Sequence, residues 1–395
     1  MARAPEPPPV PTDAVRYPAL DSVRGLAALT VLVNHCLSLF PLFGGASAGD
    51  TLPYPGAAVL GLLRSPVALL WDGRGAVAIF FVLSGFVLAL PWFRGTELPW
   101  PSFVLRRFCR IYLPYAAAVG LAMALTASLP AAPAVTAWFD ANWTEPVSIT
   151  AVLDHVLMLG AHNTFDNAVW SLNHEMRISL FFPLLMLPLL RFGLAGGAVS
   201  AVVLYLTAGA ITHVFGWHGA LAEVAATIRY STFFILGAAL ARSAGRLHAG
   251  QPGPAATVAL LTGLCCLWLS REPAVMAAGS ALIILAAIRP GRIQRTLNRP
   301  GLRTLGRISY SLYLVHLLVL LSAAHLLIGI LPLPAIVAGA FLASLLAAAL
   351  FHRLVEAPSD RLGRRLSVRR VPAARPAGAA PRAIAFQKSA SSRVR

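Results

Sequence analysis

Long runs of apolar residues recur along almost the whole chain, and this feature limits the fold more than any other. Each run approaches the ~20 residues that an α-helix needs to cross a hydrocarbon core of about 30 Å. The chain is 57% hydrophobic and only 12% charged, whereas soluble domains are about 25% charged. We therefore predict an all-α fold, a polytopic integral membrane helical bundle with about ten transmembrane helices. The predicted spans are residues 18–40, 75–92, 108–129, 168–190, 195–215, 227–243, 254–270, 274–289, 309–330 and 333–353.

One further apolar segment, "SITAVLDHVLMLG" at 148–160, is short for a span and carries Asp154 and His155. We expect a re-entrant or interfacial segment there. An eleventh crossing would also scramble the charge asymmetry around the other ten spans, because an odd number of crossings moves later loops to the opposite side.

The 32 Lys and Arg residues are distributed unevenly around these spans. With ten crossings most of them fall on one side, which the positive-inside rule assigns to the cytoplasm. We therefore predict a bacterial-type inner (plasma) membrane protein with both termini cytoplasmic. The net charge of +17 then indicates orientation and contact with the anionic lipid bilayer. The chain shows no motif typical of nucleic-acid binding, so no nucleic-acid partner is expected.

The predicted membrane domain covers residues 18–365. A proline-rich lead over residues 1–17 and a basic tail over residues 366–395 flank it, and we predict both to be cytoplasmic and the tail to be disordered. The four cysteines show no C-x-x-C spacing. We therefore predict neither a disulfide framework nor a metal site.

The first span contains "DSVRGLAALTVLVNH", which carries Arg24, Asn34 and His35. On a helix, His35 lies roughly 16 Å beyond Arg24, on about the same side. Ionisable residues inside a membrane usually face a cavity or a partner. The alternative is that Arg24 snorkels to the interface and His35 is a hydrogen-bonded interior residue.

The fourth span begins with a cluster of polar and aromatic residues. The cluster consists of Trp170, Ser171, His174 and Glu175. We expect Glu175 to lie at a depth comparable with that of His35, where a carboxylate fixes an imidazole's tautomer and raises its basicity. The alternative is an ion pair of Glu175 with Arg177 or Arg229.

The third span begins "RRFCRIYLPY", with Arg106, Arg107 and Arg110. Arg107 and Arg110 are three apart and lie on neighbouring helix faces. Guanidinium groups bind phosphate bidentately, so the cluster predicts a site for a cytosolic donor that carries several phosphates. The alternative is an ordinary positive-inside flank.

The ninth span begins with "SYSLYLVH" and carries Ser309, Tyr313 and His316 at spacings of four and three. Residues so spaced share a stripe on a helix. An aromatic belt explains Tyr313 but does not explain His316.

Together these motifs resemble those of the membrane-bound acyltransferase 3 family. Six matches in order cover residues 20 to 365: "LDSVRGLAALTVLVNH", "FFVLSGFVL", "RRFCRIYLP", "WSLNHE", "SYSLYLVH" and "VEAPSDRLGRR". The resemblance implies transfer of an acyl group, usually acetyl from acetyl-CoA, to a hydroxyl of a sugar or another acceptor. It also implies that His35 is the essential catalytic residue with Arg24 as its motif partner, and that Arg107 and Arg110 bind the donor.

We therefore predict an O-acyltransferase that takes acyl-CoA as a co-substrate and holds no permanent cofactor and no metal. The donor phosphates are expected on Arg106, Arg107 and Arg110, with Arg24 as a further candidate. His35, oriented by Glu175 or Asn34, is expected to remove the proton of the acceptor hydroxyl, and an acyl-enzyme on His35 or Ser171 is a variant. The predicted substrate-binding residues are Asn34, Trp170, Ser171, His174, Ser309, Tyr313 and His316.

Two other classes of function are compatible with a polytopic membrane protein that contains buried charges. A transporter or flippase of a glycan or lipid would line its path with the same buried charges, although we find no inverted repeat. A polytopic scaffold or sensor would not need His35. Within the acyltransferase class the acceptor is expected to be a surface polysaccharide or lipid-linked glycan, with a small lipid or secondary metabolite as the alternative. A homo-oligomer is left open.

Overall fold

A computed structural model describes residues 17–45, 57–160 and 164–367, without the side chains of residues 57–59. Helices form the framework of these ranges, and no β-strand occurs in them. The predicted lead and tail fall almost wholly outside them. The first eight helices are α1 Pro18–Ser38, α2 Pro41–Gly44, α3 Ala57–Arg64, α4 Gly73–Arg94, α5 Trp100–Arg107, α6 Leu113–Ser128, α7 Ala137–Asp140 and α8 Ile149–Leu157. The others are α9 Trp170–Phe215, α10 Ala220–His248, α11 Ala255–Leu269, α12 Pro273–Ile288, α13 Arg292–Leu297, α14 Pro300–Leu327, α15 Leu333–Phe351 and α16 Ala357–Leu366.

Six helical stretches in this part of the chain are long and apolar enough to cross a membrane. They are Gly73–Arg94, Trp100–Ser128, Asn167–Phe215, Ala220–His248, Pro300–Leu327 and Leu333–Leu366. The helices α11 and α12 are also apolar but shorter. The prediction of an all-α polytopic membrane protein is confirmed, whereas the count of ten crossings and the side of each terminus stay predictions.

The two spans that were predicted over residues 168–190 and 195–215 lie in one long helix, α9. The helix is broken at Gly193, whose φ of 68° and ψ of −153° are not helical. Glycine adopts this conformation at little cost because it has no Cβ. The break therefore falls between the two predicted segments.

The short segment predicted over residues 148–160 contains α8, which has nine residues. A helix of that length extends for only about 13 Å and cannot cross a hydrocarbon core. Its Ser148 side chain accepts from the backbone N–H of Ala151, and Met158 ends the helix in the left-handed conformation. Asp154 and His155 are buried, so the polar face of α8 packs inward.

The helix α1 lies within the bundle and packs against α4, α12 and α14. Its contact with α14 is close at one pair of glycines, because a Cβ on Gly25 would lie 2.6 Å from the backbone nitrogen of Gly306. Small residues let two membrane helices approach to this distance. The two helices run parallel, since His35 and His316 meet ten residues beyond these glycines on each helix.

Candidate active site

A cavity of about 1050 Å³ opens among α1, α4, α5, α9, α14 and the C-terminal helices. Eight arginines line it: Arg24, Arg94, Arg106, Arg107, Arg110, Arg303, Arg307 and Arg364. Five acidic residues also line it: Asp21, Glu97, Glu175, Glu356 and Asp360. The predicted cluster on the third span is therefore brought together with Arg24, and with arginines from α14 and α16 that the motif analysis had not assigned to a site.

Two π-helical turns, Phe108–Tyr112 and His352–Glu356, contribute to the wall of this cavity. The first presents Arg110 and the second presents His352 and Glu356 to the cavity. Turns of this kind widen a helix locally and are frequent at functional sites. They re-aim side chains that a regular helix would direct elsewhere.

Several of the arginines have partners in the protein. Arg110 pairs with Asp360 at 3.8 Å, and Arg364 pairs with the same carboxylate at 2.6 Å. The Arg106 Nε donates to the Ser367 hydroxyl at 2.6 Å. The C-terminal helix α16 is thus held against the mouth of the cavity by groups that can also bind phosphate.

Glu175 lies on the face of α9 that lines the cavity, and its Oε1 accepts a hydrogen bond from Ser84 of α4 at 2.8 Å. The alternative of an ion pair with Arg177 or Arg229 is not what the structure shows. Arg177 instead pairs with Glu223 at 3.2 Å, and Arg229 donates to Thr212.

The end of the cavity is formed by Ser171 and Tyr313. The Tyr313 hydroxyl donates to the Ala168 carbonyl at 2.7 Å, so the Ser171 hydroxyl donates to Tyr313 at 2.7 Å. Ser309 also lines the cavity, and its hydroxyl donates to the Gly306 carbonyl. The predicted stripe of the ninth span therefore runs along the cavity wall and ends one turn short of His316.

His316 lies beyond this end and contacts His35. The distance from His35 Nδ1 to His316 Nε2 is 2.8 Å, and the two rings are nearly parallel, with an interplanar angle of 12°. The other ring nitrogen of His316, Nδ1, lies 2.9 Å from the Leu312 carbonyl. The first and ninth spans thus meet at a pair of imidazoles.

These contacts assign the tautomers of both rings. A carbonyl only accepts, so the hydrogen of neutral His316 lies on Nδ1 and its Nε2 is an acceptor. His35 must then donate from Nδ1, which leaves the lone pair of neutral His35 on Nε2. The structure therefore presents His35 Nε2 as a base, fixed by a chain that runs through His316 to a backbone carbonyl.

The expected partners of His35 need a correction. The Asn34 side-chain nitrogen donates to the Trp71 carbonyl at 2.8 Å, and Glu175 accepts a hydrogen bond from Ser84. Neither residue therefore orients His35. The orienting group is His316, because the parallel packing of α1 and α14 brings these two rings together. The His35 ring also stacks on the ring of Trp138 of α7, with the ring centroids 5.4 Å apart, and no motif had indicated this residue.

The other predicted residues of the fourth span lie on a different face of α9. His174 Nδ1 is 2.9 Å from the Thr227 hydroxyl, and Trp170 packs against His174 and Tyr230. Arg177 ties this cluster to the α8 loop by donating to the Met158 carbonyl. The N-terminal turns of α9 therefore separate the arginine-lined cavity from a second polar cluster, and the structure does not bring His174 to His35.

Within the ranges that the structure covers, no three His, Cys, Asp or Glu side chains form a group that could hold a metal ion. The sequence motifs did not assign several residues around this site: Trp138 beside His35, the lining arginines Arg94, Arg303 and Arg307, and residues of the C-terminal helices. His352, Glu356 and Asp360 all line the cavity. The matched motif "VEAPSDRLGRR" was the sequence signal for two of them.

Comparisons with known proteins identify the family to which the chain belongs. A family model described as "Acyltransferase domain", the acyltransferase 3 model, matches residues 17–353. The chain is also 26% identical over 402 aligned residues to "Acyltransferase MdmB" of Streptomyces mycarofaciens, with 92% of this chain and 97% of that protein covered. No solved structure matches. The matched region contains the His pair and most of the arginine-lined cavity, and the chain therefore belongs to the acyltransferase 3 family of membrane acyltransferases.

Proposed function

We propose that this protein transfers an acyl group, acetyl in the first instance, from acyl-CoA to a hydroxyl of a carbohydrate such as a surface polysaccharide or a lipid-linked glycan. The observation that carries the proposal is the arrangement of the arginine-lined cavity beside the His35–His316 pair. The arginine-lined cavity would bind the phosphates, and the basic nitrogen of His35 would lie further along the same path through the protein.

The charge and the size of the arginine-lined cavity make it suitable for the donor. The cavity has about 1050 Å³ and eight lining arginines against five acidic residues, so it offers a polyphosphate an excess of positive charge. Arginine suits phosphate because its planar group makes two parallel hydrogen bonds. Arg106, Arg107 and Arg110 would hold the phosphates, and Glu175 would accept from an amide N–H of the pantetheine arm.

The tautomers of His35 and His316 define the reacting end of the path. The acceptor hydroxyl donates its proton to His35 Nε2 while its oxygen forms a bond with the thioester carbon. The carbon–sulfur bond then breaks, and the CoA thiolate takes the proton from the His35 imidazolium. Proton transfer of this kind typically contributes about 10²- to 10⁴-fold to a rate, and His316 acts as a positioning residue.

The Ser171–Tyr313 hydrogen bond stands between these two ends. Because Tyr313 lies at the end of the cavity and its ring is 6.2 Å from the His316 ring, it separates the donor path from the His pair. The proposal requires that this pair of side chains moves when the thioester advances to His35.

The experiment uses the purified protein in proteoliposomes with labelled acetyl-CoA and the glycan acceptor. The proposal predicts that free CoA thiol and alkali-labile labelled ester appear together in equal amounts, and only with acceptor present. Glycan that crosses the bilayer without release of CoA would contradict the proposal and favour a flippase. Succinyl-CoA and a long-chain acyl-CoA, tested in parallel, identify the preferred acyl group.

A further inference from the structure

A second, smaller cavity of about 260 Å³ lies on a different face of α1. Residues of α1, α4, α11, α12 and α13 line it, together with Asp72 and the segment Pro66–Trp71, and it shares no lining residue with the arginine-lined cavity. Thr30 and Asp72 are its polar lining residues, and the others are aliphatic or glycine. The proposed binding of acyl-CoA therefore does not account for this smaller cavity.

Asp72 holds the polar end of this small cavity. Its side chain is 6% exposed, and one carboxylate oxygen, Oδ1, pairs with Arg271. The other oxygen, Oδ2, is buried and has no hydrogen-bond partner among the residues that the structure describes. An unpartnered buried carboxylate oxygen is costly, and one that faces a cavity indicates a missing hydrogen-bond donor.

Size and charge limit what that donor can belong to. The volume is below the about 300 to 1000 Å³ of sites for drug-sized molecules, so a nucleotide or an oligosaccharide does not fit. From Thr30 to Val23 the lining extends for about 10 Å along α1, which suits one aliphatic chain. Arg271 already neutralises the carboxylate, which favours a neutral hydroxyl over a second cation.

We propose that this cavity binds a single aliphatic chain whose hydroxyl group donates a hydrogen bond to Asp72 Oδ2. The occupant is a hydroxyl-bearing lipid chain that enters from the bilayer. Leu26 of α1 lines the cavity and is 39% exposed, so the surrounding lipid can reach this side of it. Water could occupy only the polar end of the cavity, because the lining other than Thr30 and Asp72 is aliphatic or glycine and a buried water needs two to four polar partners.

The test uses the full chain in lipid nanodiscs with two photoactivatable probes of equal length, an alkan-1-ol and an alkane that each carry a diazirine. Cross-linked residues are mapped by mass spectrometry. We expect the alkanol to label the α11 and α12 lining residues at least fivefold more than the alkane. Equal labelling by the two probes would overturn the proposal.

Three variants sharpen the test. Leu264→Trp fills the cavity and should abolish the label, while Leu261→Trp, on the same helix but 57% exposed and outside the lining, should leave it unchanged. Asp72→Ala should keep the alkane label and remove the preference for the alkanol, since Arg271 is half exposed and can be hydrated. Persistence of that preference in Asp72→Ala would also overturn the proposal, even if Leu264→Trp folds poorly.

Discussion

His35 Nδ1 lies 2.8 Å from His316 Nε2, although the two residues are 281 positions apart in the chain. The contact depends on two parallel helices, α1 and α14, which approach each other closely at Gly25 and Gly306. The position of the two imidazoles is therefore set by a helix contact about 15 Å away along each helix. This relation links the packing of the bundle to its chemistry.

Gly306→Ala tests that link. The added Cβ would collide with the backbone carbonyl of Asp21, so α1 and α14 must separate. Overpacking of this kind costs about 1 to 3 kcal/mol, and we expect a lower thermal midpoint and at least a tenfold loss of acyl transfer. The control is Gly301→Ala on the same helix, where a Cβ meets nothing within 4 Å. Equal behaviour of the two variants in both measurements would contradict this account.

His316→Ala tests the role of the second imidazole. The variant removes the acceptor for the His35 Nδ1–H, so the tautomer with the free Nε2 is no longer fixed. We expect kcat to fall roughly 10²-fold with little change in the KM for acyl-CoA, and an altered pH profile of kcat. His316→Gln, which retains an acceptor oxygen, should recover part of the rate. A merely structural role would instead lower the amount of folded protein and leave the pH profile of the remainder unchanged.

Arg110→Ala tests the donor site. The variant removes a guanidinium from the cavity wall, and we expect the KM for acyl-CoA to rise about tenfold, with a smaller dependence on salt concentration. Asp360→Asn should lower that KM, because it frees Arg110 and Arg364 from their carboxylate partner. Arg191→Ala is the control, since Arg191 does not line the cavity and its guanidinium lies over Phe192. A KM for acyl-CoA that stays at the control value in both Arg110→Ala and Asp360→Asn would exclude this donor site.

Asp166 predicts a pH dependence of stability. It precedes the Asn167–Phe215 stretch, and burial raises the pKa of its carboxyl to about 8, from an ordinary value of about 4. Between these values the unfolded chain loses its proton while the folded protein keeps it, so stability falls as pH rises from 4 to 8. Asp166→Asn keeps an acceptor for the Ala168 N–H. This variant should show a weaker dependence of the thermal midpoint on pH between 4 and 8. A midpoint with the same slope in both proteins would refute the prediction.

The sequence predicted the helices better than their contacts. Apolar runs and the charges at their ends locate α1, α9 and α14, and they place His35, Glu175 and His316 at lipid depth. The partner of His35 could not be read from those runs, because it depends on the register of α14 against α1. A carboxylate is the commoner partner of a basic imidazole, so Glu175 was expected where His316 lies.

The proposed donor site shows the same limit at longer range. Arg106, Arg107 and Arg110 are close together in the sequence, and their motif was sufficient to predict that the three side chains lie together. Asp360 and Arg364 join that cluster because two π-helical turns and the return of α16 bring the end of the domain to the third span. Such turns need an extra residue in the helical turn and leave no periodic signal.

We propose His35 Nε2 as the base for acyl transfer. The most direct test compares wild type with His35→Ala at matched amounts of folded protein. The measurement is the transfer of labelled acetyl from acetyl-CoA to alkali-labile ester in membranes that contain the native glycans. We expect ester from the wild type and at least a 10²-fold lower rate from the variant, with the KM for acetyl-CoA unchanged. Equal rates of ester formation would show that His35 is structural and would contradict the account.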